Sequence, residues 1–275
     1  MKRTILMAVL VVSAVASAAQ ADWNAGDPFK MHYPQMPDLT YTGMDVKVGY
    51  WLGIADDFRC AQTGPITDIH IWGSWKGDVL PPDGPGSIAF DLAIFSDIPA
   101  NPAGGQPFSM PNLNDQLWSV DVEPGDYTVR FVTPEVEAEG WYDPDTGEYL
   151  PGNHFGAYQY NVLIPEALAF WQQGTPENPV VYWLGILLES EIDQQFGWKT
   201  SKDHWNDDAV AVFLAENVQD PEGDDLVLGI TELRYPDGHP FEGESVDLAF
   251  VITPEPATMA LLGLGLAGVI MRRRK

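Results

Sequence analysis

The chain holds one cysteine, Cys60, in 275 residues. It cannot close a disulfide on itself, so its stability has to come from packing or bound metal. Cys60 follows Phe58-Arg59 beside an expected strand and has no motif that would make it a nucleophile. It reads as a buried, inert thiol. Cations are scarce as well, with 14 Lys and Arg against 40 Asp and Glu, a formal net charge of -26. So acidic a surface repels nucleic acid and anionic lipid and favours Ca²⁺ or polycationic partners. The five histidines, His32, His70, His154, His204 and His239, show neither His-x-x-x-His nor His-x-His spacing, which leaves no zinc signature. Gly-x-Ser-x-Gly, Walker A and Gly-x-Gly-x-x-Gly are all missing, so serine-hydrolase and nucleotide chemistry have no sequence basis. Acids are too numerous for any pair to stand out as a glycosidase centre, and solvated acidic turns are the expectation. No catalytic residue is assigned, and the chain is read as a non-enzyme that requires no cofactor.

What is present is a core. Hydrophobic residues make up 45% of the chain and aromatics 12%, more than an acidic disordered segment carries. Their period is two. Ile88, Phe90, Leu92 and Ile94 share one face with Asp91 on the other, Tyr127, Val129 and Phe131 alternate against Thr128 and Arg130, and Val246, Leu248, Phe250 and Ile252 alternate against Asp247. Similar runs at 46–54, 66–75, 116–122, 158–164, 180–188, 209–214 and 226–233 bring the expectation to about ten strands. Clusters of Pro, Gly, Asp and Asn separate them, as at 80–86, 98–106, 143–147, 220–225 and 236–238. One short helix is expected over 165–173, from Pro165 to the glycine at 174. The fold class that follows is all-β, a two-sheet antiparallel sandwich of jelly-roll-like form. Tyr50-Trp-Leu-Gly-Ile54 returns as Tyr182-Trp-Leu-Gly-Ile186 without matching flanks, which suggests two equivalent core strands rather than a duplication.

Both ends differ from this middle. Met1-Lys2-Arg3, the apolar Ile5 to Val12 and the small residues Ala19 and Ala21 around Gln20 have the layout of a signal peptide, residues 1–21, cut before Asp22 by signal peptidase. At the other end Pro254-Glu255-Pro256 excludes helix through itself. The uncharged run 257–271 follows, and then Arg272-Arg273-Arg274-Lys275. A helix of that run would reach roughly 22 Å, and with snorkelling flanks it can just cross a hydrocarbon core of about 30 Å, basic end on the cytoplasmic side. The body between, 22–253, is one β-sandwich domain. Six basic residues and one acid lie in the end segments, so the body carries -31 of charge against -26 for the whole.

The order Pro-Glu-Pro, apolar helix, arginine-rich end over 254–275 resembles the PEP-CTERM sorting signal of exported bacterial proteins. The resemblance implies that Pro254, Glu255 and Pro256 are recognised by an exosortase, a membrane-embedded cysteine protease. It also implies an inner-membrane-anchored precursor that is cut and then reaches the cell surface or extracellular matrix, in association with exopolysaccharide. Ala55-Asp-Asp-Phe-Arg-Cys60, the stretch from Gly64 to Trp75, Pro179 to Leu184, Gly197-Trp-Lys-Thr-Ser201 and His204 to Ala209 are similar to an uncharacterised β-sandwich domain of other PEP-CTERM proteins. No activity comes with that likeness.

Two constellations could bind something. Asp143, Asp145 and Glu148 place oxygens around a glycine turn, as a structural calcium ion prefers, and Asp220, Glu222, Asp224 and Asp225 do much the same. Trp198 and Trp205 flank Lys199, Lys202, His204, Asn206, Asp207 and Asp208, the mixture of flat rings and carboxylates with which a carbohydrate-binding face, or a carbohydrate-active enzyme, holds a sugar. Trp141, Tyr142, Tyr149 and Phe155 are expected to crowd a polar loop.

Overall fold

A computed structural model describes residues 22–132, 137–219 and 225–253. The signal peptide with Ala19 and Ala21, the tripeptide 254–256, the apolar run 257–271 and the acidic turn at 220–224 lie outside the described residues. Among those described, no helix is long and apolar enough to cross a membrane.

The body is all-β, with strands numbered in chain order. The larger sheet runs β7 (Tyr127–Val132), β10 (Ala157–Leu163), β4 (Asp68–Trp75), β13 (Phe196–Ser201), β1 (Met44–Val48), β8 (Glu139–Asp143) and β9 (Glu148–His154). The short β16 (Asp247–Leu248) joins β13, and β17 (Phe250–Ile252) joins β4. The second sheet runs β15 (Asp225–Glu232), β14 (Val210–Gln219), β2 (Leu52–Cys60), β12 (Val180–Leu188), β5 (Phe90–Ile98) and β6 (Met110–Val122). A two-stranded ribbon pairs β3 (Gly64–Ile66) with β11 (Phe170–Gln172).

The two large sheets share one core. Phe58 of β2 meets Phe250 of β17 with ring centroids 6.1 Å apart, and Phe90 of β5 meets Phe196 of β13 at 5.4 Å and Tyr160 of β10 at 5.7 Å. These rings, with Ile69, Ile71, Leu184 and Ile186, are buried in one continuous cluster. Burying each large apolar side chain is worth about 1.5–3 kcal/mol, so this cluster is what holds the sheets face to face.

Four expectations change. The strand pairing is not wholly antiparallel, because β1 and β8 pair in parallel, Asp45 beside Trp141. The stretch 46–54 is two strands that break at 49–51. The segment 165–173 is no helix: Pro165 and Ala169 are extended on either side of a single 3-10 turn, Glu166–Leu168, and Phe170–Gln172 finds its hydrogen bonds in β3. Tertiary pairing has overridden local start and stop signals. Finally β8, β9 and β13 form where no strand was expected. In β13 all six residues are buried, so no solvent-facing side marks it as a strand. Of the two Tyr-Trp-Leu-Gly-Ile segments, the second lies wholly on β12, while the first enters the neighbouring β2 only at Leu52 and has Ile54 opposite Ile186.

Candidate functional site

Four adjoining strands, β13, β1, β8 and β9, gather Lys199, Asp45, Glu139 and His154 on the face of the larger sheet that turns away from the main core. Alternation fixes the side. Met44, Val46 and Val48 enter the core, so Asp45 and Lys47 point the other way, and Phe196 and Trp198 enter it while Lys199 does not. Register sets Asp45 directly opposite Lys199 and next to Trp141. All four ionisable side chains and Trp141 have 0% exposure. Gly197 makes the closure fit, because a Cβ there would stand 2.8 Å from both Asp45 Cβ and Trp141 Cζ3.

Within this group the Lys199 ammonium donates to Asp45 Oδ2 at 2.7 Å and to Glu139 Oε2. His154 Nε2 lies 2.8 Å from the same Asp45 oxygen and 3.9 Å from Glu139 Oε2. Asp45 Oδ1, Glu139 Oε1, His154 Nδ1 and Trp141 Nε1 are buried with no hydrogen-bond partner among the described residues. Burial alone would raise the Asp45 carboxyl, but Lys199 and His154 hold it below its usual value. Burial lifts Glu139 to about 7 against the pull of Lys199. Burial works to lower Lys199, yet Asp45 and Glu139 together raise it. The group is therefore an ion pair with a second carboxyl poised near neutrality.

A second cluster lies where β2 meets the 203–208 loop and β16. Asp56 has 0% exposure and bridges the sheets, its Oδ2 accepting from the Leu248 N–H at 2.7 Å and from Gln35 Nε2 at 2.9 Å. Asp57, also at 0%, accepts from Asn206 Nδ2. Asp247 accepts from the Trp205 N–H at 2.9 Å and meets His204 Nδ1 at 2.9 Å. Few cations reach in here. Burial, with Asp247 and Asp57 nearby, pushes Asp56 well above its usual value, and burial lifts Asp57 to about 9 despite Asn206. Asp208 rises to about 7 by burial, opposed by Arg234, whose guanidinium is 2.7 Å away.

The expected sugar face is divided by this arrangement. Trp198 has 0% exposure, donates its indole N–H to the Ala249 carbonyl at 2.9 Å and packs edge-on against Phe250 at 5.8 Å. It is a core residue, because it shares the inward side of β13 with Phe196. Trp205 is partly exposed, stacked on His32 at 4.3 Å with the Arg59 guanidinium 5.9 Å from its ring centre. Burial and Arg59 lower His32 to about 3, so the stack is a neutral one. Asp207 accepts from the Ser109 N–H at 2.6 Å, and Asp208 is buried and paired with Arg234. The carboxylates are thus engaged in holding the loop.

The Asp143 to Glu148 turn closes the β8–β9 hairpin, and Trp141, Tyr142 and Tyr149 lie on its strands rather than in a loop. Asp143 takes Lys47 Nζ at 2.7 Å and the Asp145 N–H at 3.1 Å, while Glu148 takes Lys76 at 2.8 Å. Two of the three residues expected to hold calcium, Asp143 and Glu148, are thus each paired with a lysine. Among the described residues three trios, none of them Asp143, Asp145 and Glu148, bring ligand atoms within 4.8 Å of one another: Asp45, Glu139 and His154; Asp91, Asp121 and Glu189; Asp207, Asp208 and Glu232. Lys199 occupies the first, and Arg234 spans Asp208 and Glu232 in the third, at 2.7 and 2.9 Å. The middle trio is at the surface, where burial and Asp121 lift Asp91 to about 6.

Sequence reasoning passed over an open groove of about 1070 Å³ lined by Tyr50, Trp51, Asp145, Glu191 and Asp193 among others. Trp51 Nε1 donates to Glu191 at 2.9 Å, which fixes the ring at its edge. The signal was the Tyr50-Trp51 pair itself, which reads equally well as strand core.

With this geometry in place, comparison with known proteins gives two matches. Residues 31–253 match the family described as "Domain of unknown function (DUF7901)", and residues 253–275 match the "PEP-CTERM protein-sorting motif". No curated protein and no solved structure matches the chain. The terminal motif marks an exported, exosortase-sorted protein.

Proposed function

We propose, from the premise that this chain belongs to the family described as Domain of unknown function (DUF7901), that it is a non-catalytic component of the cell surface or extracellular matrix. Signal peptidase would open the mature chain at Asp22, the 257–271 run would hold the precursor in the inner membrane, and an exosortase would release it to accompany exopolysaccharide. No cofactor is needed for that role. The strand layout is read as jelly-roll-like.

The observation that supports this reading is the place of the last described strand. β17 is fully buried and pairs with β4, and Thr253 donates its N–H to the Asp68 carbonyl at 3.2 Å and its hydroxyl to Asp68 Oδ2 at 3.1 Å. Pro254 comes next. A cut at the tripeptide leaves every described strand in the product. Expression in paired cells with and without an exosortase tests this: release confined to the exosortase-bearing cells is expected, and equal release with the same end from both would overturn it.

The 1070 Å³ groove favours a second reading, a carbohydrate-binding surface, since Tyr50 and Trp51 offer rings beside Asp145, Glu191 and Asp193. A glycan array with native protein, Trp51→Ala and Trp205→Ala assigns the site. Binding lost with Trp51→Ala places it in the groove, loss with Trp205→Ala places it on the loop face, and no binding by the native protein removes the reading.

A further inference from the structure

The Lys199 cluster is an expensive thing to bury. Four ionisable side chains with no exposed surface have been stripped of water, and Asp45 Oδ1, Glu139 Oε1 and His154 Nδ1 receive no hydrogen bond among the described residues in exchange. Such a group costs more in desolvation than its Coulomb attraction returns unless every remaining lone pair is satisfied. Lys47, Lys76 and Lys202 keep 20, 28 and 47% of the side chain exposed, and the buried Lys30 donates to the neutral Pro65 carbonyl at 2.7 Å. Lys199 does neither. Its nitrogen is instead held 2.7 Å from a carboxylate oxygen on the neighbouring strand, with a second carboxylate on the same nitrogen and an imidazole on the same oxygen.

We infer that Lys199 and Asp45 condense into an intramolecular isopeptide bond, an amide between Nζ and Cγ, with Glu139 as proton carrier and His154 on the leaving oxygen. The step needs nothing beyond these groups. The Lys199 ammonium passes one proton to the Glu139 carboxylate, and the freed lone pair forms the N–C bond to Asp45 Cγ. The nitrogen gives up a second proton, the Cγ–Oδ2 bond breaks, and both protons leave on Oδ2 as water. Oδ1, unpartnered before, becomes the amide oxygen. Glu139 and His154 end as they began, and no oxidant or activating group enters.

Three features make the site suited to it. The antiparallel register sets Asp45 opposite Lys199, so the reacting groups are held together by the fold and a bimolecular penalty is avoided. Glu139 touches the nucleophile and, lifted to about 7, takes up and returns a proton near neutral pH. Trp141 and Gly197 seal the group, and condensation turns a buried cation and anion into one neutral amide. The bond would join strands 154 positions apart, closing a large loop in a chain whose one cysteine rules out doing so with sulfur.

The test is mass spectrometry of the full-length chain as folded and exported, followed by trypsin digestion. The expected mass is lower by one water than the sequence of the mature chain requires. Lys199–Thr200 resists trypsin, and fragment 31–47 is recovered joined to 131–202. Asp45→Asn should yield the same joined fragment with loss of ammonia in place of water, and Asp45→Ala should yield none. Glu139→Gln keeps the side chain's shape but removes the proton carrier, so the bond should be missing or far slower to form. A native protein of unreduced mass that is cut after Lys199 and releases 31–47 and 131–199 separately overturns the inference. A bond formed at the native rate in Glu139→Gln overturns the role given to Glu139.

Discussion

Two buried acidic clusters in one small domain are neutralised in different ways. On the outer face of the larger sheet Asp45 and Glu139 are met by Lys199 and His154. Where β2 meets β16, Asp56 and Asp57 have amides and backbone N–H groups for partners, and they answer burial by keeping their protons. The difference teaches that a chain of net charge -26 can bury carboxylates by two routes, with opposite sensitivity to base and to loss of a cation. The first cluster should fail when its lysine is removed. The second should fail as the pH rises.

The comparison is broken hardest at Lys199. Lys199→Met leaves two carboxylates buried without their cation and should cost about 3–5 kcal/mol in chemical denaturation. Arg234→Met, at the half-exposed edge of the other cluster, should cost about 1 kcal/mol or less, because the guanidinium itself is half exposed and Asp208, lifted to about 7, can take a proton in its place. Similar losses for the two would erase the distinction. Next comes Trp198→Ala. As a core truncation it should cost about 3–5 kcal/mol by the same measurement, and a negligible loss would return Trp198 to the surface.

The pH dependence sharpens the other side. Asp57 is lifted to about 9 in the folded domain, against about 3.9 for an unfolded aspartate, so between those values the folded chain binds the extra proton. Its contribution is fully present below the lower value and is lost as pH climbs through the upper one. Stability should therefore decline from about pH 4 to about pH 9. Asp57→Asn, which mimics the protonated acid, should flatten that slope in melting curves taken across the range, and an unchanged slope would refute the assignment. The smallest effect is expected at the β8–β9 turn. Asp145→Ala should shift stability by no more than about 0.5 kcal/mol, and added calcium should leave the melting temperature where it was, since Lys47 and Lys76 already hold Asp143 and Glu148.

How much of this could be read in advance depended on whether a residue's role was local. β12 is legible residue for residue over Val180–Leu188, because hydrophobic strand formers run between turn signals. β13 is not. With Gly197 and Lys199 on one side and Phe196 and Trp198 on the other, and both sides buried, its six residues are too few to show a period. The same blindness hid the Lys199 cluster. Asp45, Glu139, His154 and Lys199 each resemble a solvated charge in the sequence, and only the pairing of β13, β1, β8 and β9 brings them together. A lysine flanked by Gly-Trp and Thr-Ser in a chain poor in cations is the one clue the sequence offers, and beside Trp198 and Trp205 it suggests the rim of a sugar face. Trp198 was misplaced for a related reason, as side-chain direction in a short strand follows from register, which neighbouring residues do not reveal.

The reading as a whole stands on the body being finished before the sorting segment begins. The most direct check is the C-terminus of the protein recovered outside exosortase-bearing cells, determined by mass. An end at or beside Pro254-Glu255-Pro256, with residues 257–275 gone, is the predicted result. Recovery of Met271 and the terminal arginines on the exported protein would contradict it.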